Sequence, residues 1–271
     1  GAAGIGNGVG IEFDTFYNVN AASDIVNDHT NFFDTDAVAT NNAIKAAVDL
    51  GNIEDGQWHD VTVTWDASAN RLSYSFDGQQ IDTLTSDITA AYLGGSNLAH
   101  FGFTASTGGK TNLQKVRDVT LAVSDTPPPP DDENPDFQIS GDATYNSASD
   151  EFTLTPNAPL QVGGAMSVDR IDLSKNFEID FDVFLGSDNG GADGIAFVLH
   201  NSAAGSSAAG DPGLGLGASG IANGIGIEFD TFFNSNAAGD IVNDHSNFFD
   251  TDAAATDNAI NAAVDLGDIE D

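Results

Sequence analysis

Two stretches of the sequence carry almost the same acidic and aromatic pattern. Residues 12–18 read EFDTFYN and residues 228–234 read EFDTFFN. In an extended strand alternate side chains share a face, so the glutamate and aspartate of each stretch lie on one side, about 6 to 7 Å apart. Two such carboxylates repel each other, and without a partner one of them would be driven toward its neutral form. The pattern therefore predicts a bound cation.

Each stretch is followed at short range by an asparagine, an aspartate and a histidine, and the backbone carbonyl of its second phenylalanine adds an oxygen. Ca²⁺ takes six to eight oxygen ligands, whereas an imidazole among carboxylates suits a transition ion such as Mn²⁺. Two neighbouring ions that share two aspartates are consistent with this set. The predicted metal-binding residues are Glu12, Asp14, Phe16, Asn18, Asp24 and His29 in the first copy and Glu228, Asp230, Phe232, Asn234, Asp240 and His245 in the second.

An isolated Glu-x-Asp pair more often lies on the solvated face of a sandwich strand. Here the acids lie within an aromatic strand and are followed by further ligand types, which favours metal. Asp28 and Asp244 compete with Asp24 and Asp240 as ligands.

The FFDTD segments at 32–36 and 248–252, with Asp34, Asp36, Asp250 and Asp252, are a further candidate cation site; we favour a solvated turn. His59, His100 and His200 lie at strand edges without clustered acids, and we interpret them as structural.

The chain contains a long internal repeat. Residues Asn7–Asp55 match Asn223–Asp271 at 40 of 49 positions, which indicates a tandem duplication. We expect a window from an array of units about 216 residues long, in which residues 1–125 are the C-terminal part of one repeat and residues 136–271 the N-terminal part of the next. The proline-rich and acidic residues 126–135 are the predicted linker.

The amino-acid composition narrows the classes of binding partner that this protein can have. The 271 residues include 42 acids and 7 bases, so the formal net charge is −35. This charge disfavours nucleic acid and anionic membranes as partners, and bound cations or a saline medium would offset it. There is no cysteine, and no apolar run approaches the roughly 18 residues of a membrane helix. We expect a secreted or cell-surface bacterial protein that does not insert into membranes.

Period-two alternation predicts many short strands. Residues 61–65, 72–76 and 177–185 alternate apolar with polar side chains, and an Asp77-Gly78 pair predicts a hairpin turn. Residues 41–50 alone have helix-compatible content. The pattern favours an all-β antiparallel sandwich.

These motifs resemble the L-type (legume-type) lectins, in particular their bacterial members. VGIEFDTFYN with its following aspartate and histidine resembles the metal-binding strand and loop of that family. The resemblance extends to GADGIAFVLHN at 191–201, GLGLG at 213–217, DGQWHDVTVTWD at 55–66 and HFGFTASTGG at 100–109. It implies a concanavalin A-like β-sandwich (jelly roll), and it implies that the residues named above hold calcium and a transition ion.

The resemblance also implies a sugar site. By this resemblance, Asp193 and Asn234 contact hydroxyl groups of the sugar, and a backbone amide near Gly213 contacts a further hydroxyl group. The Phe232 ring stacks on the sugar. The loop at 106–110, with Thr107 and Gly108, contributes as well, and the Ala192–Asp193 peptide bond is cis. The alternatives are an ordinary glycine-rich turn at GADG and core packing for Phe232.

A complete site needs residues from both sides of the linker. We therefore expect one circularly permuted sandwich in which residues 136–222 supply the early strands, residues 57–123 the late ones, and a single EFD segment the centre. The other EFD segment is then surplus. Two incomplete half-sandwiches are the rival arrangement.

The expected function is calcium-dependent carbohydrate recognition by a repeat of a large adhesin, without catalysis. Its partners would be cell-surface glycans or polysaccharides and neighbouring repeats of the same polypeptide. The main alternative is a structural spacer that metal makes rigid and that binds no sugar. A hydrolase of the same fold is a remote third possibility, since glycoside hydrolysis also uses paired carboxylates.

Overall fold

The computed structural model describes part of the chain. The described residues are 9–14, 24–25, 29–34, 47–49, 53–125, 135–188, 190–218, 220–230, 241–242, 245–252 and 264–265. At the predicted metal-binding positions within these strands, the backbone alone is described.

Nearly all regular structure in these residues is β-strand. The strands are β1 (Val9–Asp14), β2 (Asp24–Ile25), β3 (His29–Asp34), β4 (Ala47–Asp49), β5 (His59–Asp66), β6 (Arg71–Phe76), β7 (Gln79–Thr85), β8 (Leu98–Ser106), β9 (Gln114–Ser124), β10 (Phe137–Gly141), β11 (Thr144–Asn146), β12 (Glu151–Thr155), β13 (Val162–Ser167), β14 (Ile171–Asp172), β15 (Asn176–Phe184), β16 (Gly194–His200), β17 (Gly224–Asp230), β18 (Ile241–Val242), β19 (His245–Asp250) and β20 (Val264–Asp265).

One short α-helix, α1 (Ile88–Ala91), and 3₁₀ turns at Gly205–Ser207 and Gly213–Gly215 complete the described elements. Among the described residues there is no helix long and apolar enough to cross a bilayer.

One sheet contains strands from both sides of the predicted linker. Its order is β11-β12-β9-β15-β5-β6-β7. Strand β15, which follows the linker, pairs antiparallel with β5 and with β9, which both precede it. Phe177 lies opposite Trp65, and Val63 lies opposite Tyr74. The predicted sandwich assembled from two partial repeats is therefore confirmed, and the half-sandwich alternative is wrong.

The second sheet packs on the first. Strand β8 pairs with β13, which pairs with β10, while β16 lies beside β8. Because alternate residues face inward, strands such as β5 and β15 bury every second side chain. Phe181 of β15 packs edge-on against Phe103 of β8 at 4.7 Å between ring centroids. It stacks on Phe197 of β16 at 5.9 Å, and a single core fills the space between the sheets.

The two EFD strands take the same place in the second sheet. Residues 10–14 of β1 and 226–230 of β17 both pair antiparallel with residues 194–198 of β16, at equivalent positions. Both strands therefore pair with the same residues of β16 in the same register. Val9 also pairs with Ile225.

Local turns follow the sequence pattern. The loop between β6 and β7 consists of Asp77 (φ 48°) and Gly78 (φ 75°), and two residues with positive φ form the hairpin turn that suits twisted strands. The predicted Asp-Gly turn is confirmed.

Two local expectations are wrong. Residues 47–49 of the helix-compatible segment form β4, because the strand ladder next to β3 overrides a weak local preference. The second FFDTD segment is not a solvated turn, since Asp250 and Thr251 are fully buried. The Thr251 hydroxyl donates to the Ile221 carbonyl at 2.5 Å, and the Asp252 carboxylate accepts from the Asn223 N–H at 3.1 Å. These groups fix the loop that leads into β17.

Replacing Phe181 by alanine tests the single core. We expect a loss of about 3–5 kcal/mol in the free energy of unfolding, because the ring is buried among residues of three strands. Urea unfolding followed by tryptophan fluorescence and by circular dichroism measures it, and both signals should shift together in one transition. Phe184→Ala on the outer face of the same strand is the control and should cost about 1 kcal/mol. Two separate transitions, only one of them shifted, would contradict a common core.

Candidate metal and carbohydrate site

The strand register brings together the backbone positions predicted to bind metal. Asp14 lies opposite His29 in the β1–β3 hairpin, and Asp230 lies opposite His245 in the β17–β19 hairpin. Residues opposite each other in an antiparallel pair have Cα atoms about 4.5–5.5 Å apart. Aspartate and histidine positions 15 residues apart in sequence thus become neighbours in both copies.

The same aspartate positions adjoin the GADG loop. Asp14 and Asp230 each lie opposite Gly194 at the start of β16, and Gly194 directly follows Asp193. Glu12 and Glu228 each lie opposite Ala196, two residues further along. The backbone therefore places the predicted metal positions and the predicted sugar-contacting loop at one end of β16.

Several predicted ligands lie outside the described residues: Phe16, Asn18, Phe232, Asn234, Asp240, Asp28 and Asp244. Asp24 is described in β2, where it pairs with Ile241 of β18, the residue that follows Asp240. The side chains that the structure describes include no cluster of three or more His, Asp or Glu residues that could hold a metal ion.

The donor chemistry of the register fits the implied ions. Glutamate, aspartate and histidine positions on two paired strands offer hard oxygens and one imidazole within a short distance. The copies at 12–29 and 228–245 provide equivalent sets. Glu12, Asp14 and His29, or Glu228, Asp230 and His245, would hold the ions on the scaffold of β16.

Asp193 is held inside the protein rather than in a solvated turn. Its exposed fraction is 3%, and the Ala192–Asp193 peptide bond is cis, as the lectin resemblance implies. The Asp193 N–H donates to the Ser106 carbonyl at 3.0 Å. The carboxylate lies beside Gly108, where a Cβ atom would approach Oδ2 to 3.6 Å. Two loops from opposite sides of the linker thus meet at this carboxylate.

The glycine loop is tied to the same strand end. Ser106 donates its hydroxyl hydrogen to the Gly213 carbonyl at 2.7 Å. Gly213 has φ 64°, a conformation that favours glycine. Thr107 is fully buried, and its hydroxyl donates to the Ala158 carbonyl at 2.7 Å and accepts from the Gln161 N–H at 3.0 Å. Thr107 therefore fixes the loop, and it leaves Gly108 at the surface of the site.

Two buried amides that sequence reasoning missed support these loops. The Gln114 side chain is fully buried. Its oxygen accepts from the Gly194 N–H at 2.8 Å, and its nitrogen donates to the Ser106 carbonyl at 3.2 Å and to the Thr155 hydroxyl at 2.6 Å. It therefore joins the first residue of β16 to the last residue of β8. Its position at the start of an alternating strand was the only signal in the sequence.

Asn112 performs the same task for the loop before GADG. Its amide nitrogen donates to the Asp188 carbonyl at 3.1 Å and to the Glu54 carboxylate, and its oxygen accepts from the Ser187 N–H at 3.3 Å. A Cβ atom on Gly186 (φ 117°) would collide with this amide. Asn112 thus requires glycine at position 186 and positions the residues that lead to Asp193.

The far end of β16 carries a buried imidazole. His200 stacks on His100 with ring centroids 5.4 Å apart, and its Nδ1 accepts from the Ser202 N–H at 3.2 Å, just after the end of β16. Burial, followed by the neighbouring His100, lowers the pKa of His200 to about 3. The ring is therefore neutral at physiological pH, and the structural interpretation of this histidine is supported.

Comparison with known proteins agrees with this geometry. The sequence model of the family described as the legume lectin beta-barrel domain matches residues 1–120 and 130–267. The chain belongs to this family. Domains of this lectin family generally bind metal ions and are generally not enzymes.

Two relatives are similar to part of this sequence. The chain is 39% identical over 125 residues to the pesticidal crystal protein Cry22Aa of Bacillus thuringiensis, covering 46% of this chain and 16% of that protein. It is 34% identical over 115 residues to the serine-rich adhesin for platelets of Staphylococcus aureus (strain MRSA252), covering 40% of this chain and 8% of that protein. The chain thus spans less than a fifth of either relative.

The depressed pKa of His200 predicts an acid sensitivity. The unfolded chain takes up a proton at this histidine near pH 6.5, whereas the folded lectin does so only near pH 3. The contribution of His200 to the free energy of unfolding is therefore complete above pH 6.5. It is lost as the pH falls toward 3, and the loss is about 3 kcal/mol at pH 4.5. We expect His200→Asn, which keeps an acceptor for Ser202, to lose less stability than the parent between pH 7 and 4.5.

Urea titrations at both pH values measure this difference. His100→Asn is the control, since it removes only the smaller cause of the shift and should retain most of the parent's pH dependence. Equal pH dependence in the parent and His200→Asn would contradict the assignment.

Proposed function

We propose that this chain is a calcium-dependent carbohydrate-binding module of a large secreted or cell-surface bacterial adhesin. The observation that carries the proposal is the setting of Asp193. Its buried carboxylate lies between the loop that contains Gly108 and the start of β16, next to the strand positions of Asp14 and Asp230. The family membership supports the same assignment.

The proposed chemistry is recognition without bond cleavage. An ionised Asp193 accepts hydrogen bonds from sugar hydroxyls, and such charge-assisted bonds are stronger than neutral ones. The Phe232 ring and Asn234, carried over from the lectin resemblance, would supply stacking and a further hydrogen bond. A backbone amide near Gly213 would supply another, from a loop that the Ser106 hydroxyl already holds.

Calcium has a structural part in this proposal. When bound, it would neutralise the acidic positions of the EFD strand and hold the loop that follows them. Glu12, Asp14, Phe16, Asn18, Asp24 and His29, or their equivalents Glu228, Asp230, Phe232, Asn234, Asp240 and His245, would hold calcium and a second, Mn²⁺-like ion. The Asp193 carboxylate would then lie next to an ordered loop, and not next to a cluster of carboxylates that repel one another.

The adhesin setting rests on two observations. One matched relative is an adhesin by its printed name, and the net charge of −35 suits an extracellular protein surrounded by cations. The proposed partners are cell-surface glycans or polysaccharides, together with neighbouring repeats of the same polypeptide.

Replacing Asp193 by alanine separates a lectin from a spacer. We expect glycan binding to weaken at least about 10-fold, because charge-assisted hydrogen bonds contribute about 1.5–3 kcal/mol each. The rise in melting temperature on adding calcium should persist. A glycan array followed by calorimetry on the best ligand measures the loss. Asp169→Ala, an exposed acid between β13 and β14, should bind like the parent. No glycan binding by the parent at any calcium concentration would favour the spacer.

Calcium uptake tests the metal proposal. Titration calorimetry on metal-free protein should register binding, and the melting temperature should rise with calcium through preferential binding to the folded state. Replacing Asp14 and Asp230 together by asparagine should abolish both effects, while the same change in either copy alone should leave uptake by the other copy. An absence of heat with Ca²⁺ and with Mn²⁺ would contradict the proposal.

A further inference from the structure

A cavity lies where the edge strands of the two sheets come together. Strand β10 is the edge strand of one sheet, and β11 is the edge strand of the other. The cavity between them has a volume of about 350 Å³, which is within the range of sites for small ligands. Its described lining residues come from β9 to β12 and from the turns beside them, and none belongs to the loops around Asp193. It is therefore separate from the proposed sugar site.

Three aromatic rings form one wall of this cavity: Phe137 of β10, Tyr145 of β11 and Phe152 of β12. Tyr145 and Phe152 have centroids 4.6 Å apart and planes 29° apart, whereas Phe137 lies 5.2 Å from Phe152 at 66°. The wall therefore turns at Phe152. Phe152 is buried, and Tyr145 keeps 46% of its surface exposed. A wall that turns surrounds a compact group from more than one side, as aromatic cages for quaternary ammonium ions do.

The charged groups at the cavity are all acidic. Asp136 and Asp150 line it, and the described lining residues include no lysine, arginine or histidine. The Tyr145 hydroxyl donates to Asp150 Oδ1 at 2.7 Å, and this hydrogen bond raises the pKa of Tyr145. The phenol therefore stays neutral at physiological pH. Because aromatic faces carry partial negative charge, the rings and the two carboxylates both favour a cation.

The mixture of rings and carboxylates selects among cations. A calcium ion takes six to eight oxygen ligands, and a wall made of rings supplies none. A sugar needs several hydrogen-bonding partners, and the Tyr145 hydroxyl hydrogen is already given to Asp150. An ammonium nitrogen that carries methyl groups matches both features, because the methyl groups bury apolar surface against the rings while the positive charge stays near the carboxylates.

We propose that this cavity binds a small, soluble quaternary ammonium ion. Its methyl groups contact the faces of Phe137 and Tyr145, and Asp136 and Asp150 balance its charge. This site is independent of the calcium and sugar positions at the end of β16. The module would then recognise two chemically different ligands at two places on one sandwich.

A pair of ligands with the same shape tests the role of charge. The probes are choline and 3,3-dimethylbutan-1-ol, in which a carbon atom replaces the nitrogen. We expect choline to bind the full chain with a Kd of about 1 mM in about 0.15 M NaCl, and the alcohol to bind at least about 10-fold more weakly. Titrations followed by nuclear magnetic resonance measure both, and the N-methyl protons should shift upfield because they lie over ring faces.

Equal affinities for the two probes would show an ordinary apolar cavity and would overturn the proposal. The absence of saturable choline binding would also overturn it.

Three substitutions test the position of the ion. Tyr145→Leu keeps apolar bulk but removes the ring and should weaken choline binding about 10-fold, whereas Tyr145→Phe keeps the ring and should stay within about 3-fold of the parent. Asp150→Asn removes one charge and should weaken binding about 5-fold. Asparagine tolerates positive φ, so it suits the backbone at position 150, where φ is 49°. Melting temperatures of the variants separate a loss of binding from unfolding.

Tyr145→Leu with the affinity of the parent, or Tyr145→Phe with as large a loss as Tyr145→Leu, would overturn the assignment to the aromatic wall. Asp193→Ala distinguishes this site from the sugar site. It should bind choline like the parent even though it loses glycan binding. A matching loss of choline binding in Asp193→Ala would place the ion at the sugar site and would overturn the proposal of a separate cavity.

Discussion

The backbone hydrogen bonding of one buried strand, β16, governs the position of the proposed site. Strand β16 is fully buried along its length, and its backbone groups need partners because an unpaired buried N–H or C=O is costly. Its neighbour on one side is β8. Its residues 194–198 also pair antiparallel with the EFD strands, β1 and β17. The register of that pairing places the EFD acids beside the GADG loop, so the proposed site depends on it.

Polar side chains buried around the end of β16 fix the loops without occupying the proposed binding surface. These side chains form hydrogen bonds with the backbone of neighbouring loops; they are Gln114, Asn112, Ser106 and Thr107. A buried amide with several partners is strongly restricted in geometry, since moving any loop leaves a polar group unsatisfied. A site supported in this way is largely formed before a ligand arrives, which suits recognition better than catalysis by moving parts.

The sequence predicted the features that depend on short-range pattern. Alternation in β5 and β15 predicted which faces are buried, and Asp77-Gly78 predicted a tight hairpin, because both signals are local. The joining of β15 to β5 and β9 was predicted from the split of the site across the linker. What could not be predicted was the role of single polar residues. Asp250 and Thr251 read as a solvated turn, yet they are buried because the loop at 220–224 folds over them. Residues 47–49 read as helix because their strand partners lie far away in the chain.

The position of β15 has a consequence for how such a chain is organised. A strand encoded after the proline-rich segment is hydrogen-bonded on both sides to strands encoded before it. Strands from both sides of residues 126–135 therefore belong to one sheet. A protease cut between Asp125 and Pro135 would break the peptide chain but would leave the two fragments hydrogen-bonded to each other in one sheet. Cleavage there would therefore not release either fragment.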